Sequence, residues 1–321
     1  MLKKTIALAA FAGAMTLGAA ALHADTFTID LTHPIPTFKP MEGDAMKPDL
    51  NQPWLDSKPI PSFGQQTVLS YAQFPTNSGY FDLGLLVLSE HHGTHMDAPA
   101  HYVNNAETQD PANPTADKRK LLHMLGGDDL IGRAVVIDIS GRVQAELDKN
   151  GGRPSPDTGV TNFSNDSGNV VTADDVAAVA DRLDNGVWLV LNQGWSRFFF
   201  QGADFAKDPY INDWNFPGMT PAAIDKLIEI EDAKGIRING IISDVIGVET
   251  GENCIGEDRK WKNSWYGHVN GLQRGWKFVE NATNQNQLAM AGPDRCTVIV
   301  GAPKFTRGTG GPSRVLAICE R

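Results

Sequence analysis

Four of the chain's 8 histidines fall between His91 and His101, in the run His91-His92-Gly93-Thr94-His95-Met96-Asp97-Ala98-Pro99-Ala100-His101. That run admits few backbone paths. Pro99 forbids simple helical continuation, so two imidazoles paired on one helical face are excluded. In an extended stretch His95 and Asp97, two residues apart, point the same way. Gly93 permits a turn that brings His91 round to the same centre. Imidazole nitrogen and carboxylate oxygen are the ligand set of Zn²⁺, Mn²⁺ or Fe²⁺, and three such groups leave coordination positions open for water. A lone histidine here would read as a surface or core residue; four with an interleaved carboxylate read as a metal site. His92, beside Gly93 and facing away from His91, is the one expected to take no part.

The rest of the composition narrows the class of protein. Among 321 residues, 28 are Lys or Arg and 38 are Asp or Glu, a net charge of −10, with 41% hydrophobic and 21% charged residues. These proportions are ordinary for a soluble globular chain and exclude a disordered chain, a collagen and a multi-span membrane protein. An acidic balance argues against nucleic acid as a partner, because phosphate neutralisation needs a basic face.

Residues 1–24 read as a secretory signal peptide, with Lys3 and Lys4 as a basic start. The weakly apolar Thr5 to Leu22 run follows, with small residues at Ala19-Ala20-Ala21 or Leu22-His23-Ala24 for cleavage. The competing reading, a single membrane anchor, is disfavoured by a run of minimal length that is rich in Ala and Gly. No cysteine lies near the cleavage region to carry a lipid, and Lys-Lys replaces a twin Arg. The expectation is a periplasmic or secreted protein with no membrane contact after cleavage. Cys254, Cys296 and Cys319 are the three cysteines. An oxidising compartment would permit one disulfide and leave one thiol. Cys319 ends an apolar run, where a buried free thiol is the default, and no C-x-x-C suggests metal binding.

Residues 25–321 show no internal repeat and no long linker, so one domain is expected. Pro34 to Pro75 and Lys149 to Asn169 read as extended loops. Short β-branched runs predict strands at Leu83–Leu88, Ala134–Ile139, Val187–Leu191, Ile238–Ser243, Thr297–Val300 and Val315–Ile318. One helix starts at Thr172, carries an apolar stripe of Val176, Val179, Ala180 and Leu183, and stops at Asn185-Gly186. Another is framed by Thr220 as N-cap, Pro221 at its first position and Gly235 as C-cap. Helices followed by β-like runs predict an α/β single domain with a mixed β-sheet core flanked by helices.

The motif H-x-G-T-H-x-D-x-P-x-H resembles the signature of the metal-dependent cyclase-like hydrolases, the family of bacterial kynurenine formamidase and isatin hydrolase. The likeness extends over most of residues 25–321. It includes Asp30-Leu31-Thr32-His33, Gly194-Trp195, Phe216-Pro217-Gly218, Ser243-Asp244 and Ala302-Pro303 with Gly311-Pro312-Ser313-Arg314. The resemblance implies a swivelling β/β/α fold. It also implies a divalent ion, Mn²⁺ or Zn²⁺, held by His91, His95 and Asp97. Asp97 would bridge to a second ion held by His268 and Glu280 in two-metal members. On one straight helix these last two would lie about 18 Å apart, so the chain must reverse between them, and Gly271 and Gly275 allow that.

In the same resemblance His101 is no ligand but a general base and acid. The implied reaction is hydrolysis of a C–N amide bond in a small cyclic or aryl amide by metal-activated water, an isatin-like lactam being preferred. An arylformamidase acting on an N-formylkynurenine-type substrate, or a non-catalytic periplasmic binding protein that kept the site, are the alternatives. The family also implies a homodimer or higher homo-oligomer, with the proline-rich segment reaching a neighbour.

Other chemistries find less support. No G-x-S-x-G is present, Gly194-Trp195-Ser196-Arg197-Phe198 coming closest. Gly308-Thr309-Gly310-Gly311 lacks the lysine of a phosphate loop and reads as a flexible turn. Trp54, Phe63, Trp195 and Phe198 to Phe200 could stack on an aromatic substrate or could equally be core.

Overall fold

The computed structural model describes residues 25–34, 68–75, 80–102, 120–199, 208–256 and 258–321. The leader, most of the proline-rich segment, Trp54, Phe63 and Phe200 lie outside these residues. Eleven strands run in chain order: β1 Thr26–Asp30, β2 Val68–Pro75, β3 Tyr80–Val87, β4 His95–Asp97, β5 Ile131–Asp138, β6 Trp188–Asn192, β7 Gly240–Ile242, β8 Lys277–Glu280, β9 Cys296–Gly301, β10 Gly310–Pro312 and β11 Arg314–Glu320. The α-helices are α1 Gly127–Leu130, α2 Ser140–Asp148, α3 Ala173–Ala178, α4 Pro221–Lys234, α5 Gly251–Ile255 and α6 Gln285–Ala291. Nine strands form one mixed sheet in the order β1-β11-β9-β5-β6-β7-β8-β4-β10, and β2 pairs with β3 in a separate hairpin.

The centre of the sheet, β5-β6-β7-β8, is parallel, and each step between these strands carries helix. Parallel strands need such crossovers, which place helices over the sheet and bury it on both faces. β6 shows the result: all five of its residues are buried. Leu189 and Leu191 enter the core shared with α2, α3 and α4, while Trp188 and Val190 enter the second core, with Ile29, Met96, Val279 and Leu288.

Helix α4 matches its sequence frame. Thr220 Oγ1 accepts from Ala223 N, Pro221 occupies the first turn, and Gly235 closes the helix at φ +64°. Ile224 and Leu227 are fully buried, each worth roughly 1.5–3 kcal/mol relative to exposure. Helix α3 starts at the expected cap, where Thr172 and Asp175 bond reciprocally, but it ends sooner than the sequence suggested. The chain tightens into a 3₁₀ turn at Ala180–Arg182, which still delivers Val179 and Leu183 to the core.

Three further expectations are corrected. The proline-rich segment ends in a strand, β2. Gly310 and Gly311 are not a free turn but part of β10, paired with Asp97 and Met96 of β4. Cys319 is not a free thiol: antiparallel β9 and β11 place it opposite Cys296, and the two form a disulfide. Cys254 is the remaining buried thiol. Among the described residues no helix is long and apolar enough to cross a membrane.

Candidate metal centre

The site lies where β4 meets β8. His95 and Glu280 are directly opposed across that antiparallel pair, so one ligand candidate comes from each strand. His95 and Asp97, alternate residues of β4, converge as the two-residue spacing requires. Gly93 turns at φ +64° and brings His91 back, its Nδ1 2.6 Å from Asp97 Oδ1. Asn281 pins this turn: its Nδ2 donates to Gly93 O at 2.9 Å, its backbone carbonyl accepts from Thr94 Oγ1, and Tyr210 Oη donates to its side-chain oxygen at 2.8 Å. His268 opens a turn of π-helix, and the chain then reverses through Gly275 (φ +90°) into β8. The reversal brings His268 Nε2 to 3.1 Å from Glu280 Oε1 and 3.4 Å from Asp97 Oδ2.

All five candidate ligands therefore gather in one place. His91, His95 and Asp97 offer ligand atoms within 4.8 Å of one another, and so do Asp97, His101 and His268. Asp97 faces the His91 side with Oδ1 and the His268 side with Oδ2. His95 Nδ1 donates to the Gly93 carbonyl, so Nε2 is the nitrogen left toward Asp97 and Glu280, at 3.4 and 3.5 Å. His101, in a 3₁₀ turn at Pro99–His101, lies against the His91 ring (centroids 4.0 Å apart) and stays exposed to the cavity. His92 is fully buried and lines no part of the cavity.

The donor set fits a cation. Asp97, Glu249 and Glu280 are buried, and among the described residues every ion-pair partner of these three is a histidine. Among the described residues Asp97 Oδ2 and Glu280 Oε1 are buried acceptors that receive no well-directed hydrogen bond, although His268 Nε2 stands 3.4 and 3.1 Å away. Uncompensated buried carboxylate is costly, and a divalent ion among these atoms removes the cost. Without one, protons take its place. Burial opposes charge on His268, but Glu249, Asp97 and Glu280 hold its imidazolium well above the usual histidine range. Burial likewise opposes charge on Asp97, yet His101, His91 and His268 keep its carboxyl well below the usual range. His101 goes the other way: loss of water around the ring, reinforced by the other imidazoles against the pull of Asp97, lowers its pKa to about 4.

A cavity of about 770 Å³ opens onto the cluster. Its lining includes four aromatic residues, Tyr102, Trp261, Trp265 and Tyr266, with Asn263 and Asn270. None of these was singled out in the sequence. Trp195, Phe198 and Phe199 are core, with the Trp195 indole donating to Tyr210 O. Sequence reasoning also missed Glu249, which bonds His268, and Gly310, which lies against the His91 ring.

A family model described as putative cyclase matches residues 29–249. The chain belongs to the cyclase-like family of metal-dependent hydrolases. It is similar to the isatin hydrolase of Roseibium aggregatum, 24% identical over 276 residues that cover 81% of this chain and 85% of that protein. Its fold is that of an isatin hydrolase solved with the product analogue thioisatinate (TM-score 0.61, 22% identity, covering 92% of this chain and 93% of that one). Isatin hydrolase A from Ralstonia solanacearum is alike in fold (TM-score 0.59, 21% identity, covering 92% of each chain).

Proposed function

We propose that this cyclase-family hydrolase cleaves the C–N bond of a small cyclic or aryl amide, an isatin-like lactam above all. Two buried carboxylate oxygens, Asp97 Oδ2 and Glu280 Oε1, that among the described residues receive no well-directed hydrogen bond yet converge on one imidazole nitrogen carry the reading. His91, His95 and Asp97 would hold one divalent ion, Mn²⁺ or Zn²⁺, and Asp97, His268 and Glu280 a second. Such an ion polarises a carbonyl oxygen and lowers the pKa of water towards 7.

The chain's own groups do the remaining work. His101 opens onto the cavity, and the packing of its ring among the other imidazoles favours the neutral form that a base requires. It takes a proton from the attacking water as the new C–O bond forms, and returns one to the amide nitrogen as the C–N bond breaks. Tyr102, Trp261, Trp265 and Tyr266 offer faces on which a planar aromatic amide stacks, and this supports an aryl or benzo-fused substrate. The test is turnover of isatin and of an N-formyl aryl amine by protein loaded with Mn²⁺ or Zn²⁺, before and after chelation. Hydrolysis of isatin that chelator abolishes and metal restores is expected. Full metal occupancy with no turnover of any amide would leave a binding protein instead.

We also read the chain as exported and as a homo-oligomer. The Lys3-Lys4 start and apolar run support export, as does the Cys296–Cys319 disulfide, a bond that persists in oxidising compartments. Fractionation and N-terminal sequencing of the expressed protein test the first, and light scattering the second.

A further inference from the structure

Glu249 is a fully buried carboxylate outside the ligand set. Its Oε1 accepts from the backbone N–H of His268 at 2.6 Å and lies 2.9 Å from His268 Nδ1, with Oε2 at 3.0 Å from the same nitrogen. Oε2 also accepts from Val248 N at 3.2 Å. The surroundings are shaped for this contact. A Cβ on Gly267 would stand 2.8 Å from Oε1, and one on Gly247, at φ +89°, would stand 3.3 Å from Oε2.

We propose that Glu249 is a positioning residue that fixes His268 as the Nδ1–H tautomer and aims Nε2 at the space between Asp97 and Glu280, so that occupancy of the second metal position depends on it. This rests on the metal-site reading above. The carboxylate can only accept, so Nδ1 must carry the hydrogen and Nε2 is the nitrogen left for a cation. A neutral amide would satisfy the same N–H groups at lower desolvation cost. With Nδ1 taken up by Glu249, Nε2 faces Asp97 Oδ2 at 3.4 Å and Glu280 Oε1 at 3.1 Å, the donor set a cation would join. The dependence is one-sided. His95 Nδ1 bonds a backbone carbonyl, and His91 bonds Asp97 itself, so neither leans on Glu249.

The test is a titration of the metal-stripped full protein with Zn²⁺ against a competing chelator, comparing wild type with Glu249→Gln and Glu249→Ala. Wild type should take two equivalents. Glu249→Gln should keep the first and weaken the second about 10- to 100-fold, as loss of an outer carboxylate does at other metal sites, with Glu249→Ala weaker still because no acceptor remains. Long-range ¹H–¹⁵N spectra of zinc-loaded wild type, which need no variant to fold, should show the His268 proton on Nδ1. A wild type that binds no metal overturns the metal-site reading and this proposal with it. Two equivalents unchanged in both variants, a single equivalent in wild type, or a His268 proton on Nε2 each overturns this proposal while leaving the first metal position intact.

Discussion

Gly310 sits so close to His91 that a β-carbon on it would overlap the imidazole ring. The two residues are far apart in sequence and meet because β10 pairs with β4, placing Gly310 opposite Asp97. The strand at the sheet edge is thus the floor on which one candidate ligand rests. Gly310→Ala should leave the fold intact by circular dichroism and displace His91, weakening Zn²⁺ binding about 10- to 100-fold. Unaltered affinity would show that His91 is free to move without consequence.

His101→Ala should keep its full metal content and lose turnover by about 10²- to 10⁴-fold, the range for removal of a general base or acid. Metal analysis of the variant alongside its kcat separates the roles. His101 also offers a ring nitrogen within 4.8 Å of ligand atoms of Asp97 and His268. A variant that loses metal would therefore move His101 into the ligand set.

The disulfide should carry stability. Cys296 and Cys319 are 23 residues apart, and closing a loop of that length corresponds to about 3 kcal/mol of lost unfolded-state entropy. Replacing both with Ser should lower the free energy of unfolding by about that amount in urea. Replacing buried Cys254 with Ala should leave disulfide formation intact.

Stability should also fall in mild acid through His33. Burial, with its ring stacked on Phe199 (centroids 4.2 Å), lowers its pKa from 6.5 to about 4. Between these values the unfolded chain binds the proton and the folded chain does not, so stability is lost as pH falls through 6.5 towards 4. The full effect is about 3 kcal/mol at most. His33→Asn should show a shallower loss than wild type over that window; parallel curves would contradict the assignment.

The parts of the site that local chemistry dictates were legible in the chain. Gly93, Pro99 and the alternation of His95 with Asp97 fix a turn and a strand by themselves, and Thr220, Pro221 and Gly235 frame α4. What the sequence hid depends on register and long-range approach. Cys319 meets Cys296 only because β9 and β11 align as they do. Glu249 lies in Val248-Glu249-Thr250, a run with no motif, and gains its role from a histidine 19 positions on. Tyr102, Trp261, Trp265 and Tyr266 carry no mark that separates a cavity wall from core, whereas Trp195 and Phe198, next to a family-like Gly-Trp, turned out to be packing.

On the proposed function, the imidazoles and carboxylates around Asp97 hold a catalytic cation. Calorimetric titration of metal-stripped protein with Zn²⁺ or Mn²⁺, set beside Asp97→Ala, tests it most directly. Tight, saturable uptake is expected of wild type, and loss of that uptake in Asp97→Ala, because Asp97 meets His91 with one carboxylate oxygen and His268 with the other. No saturable uptake by the wild type, or equal uptake by both proteins, would contradict it.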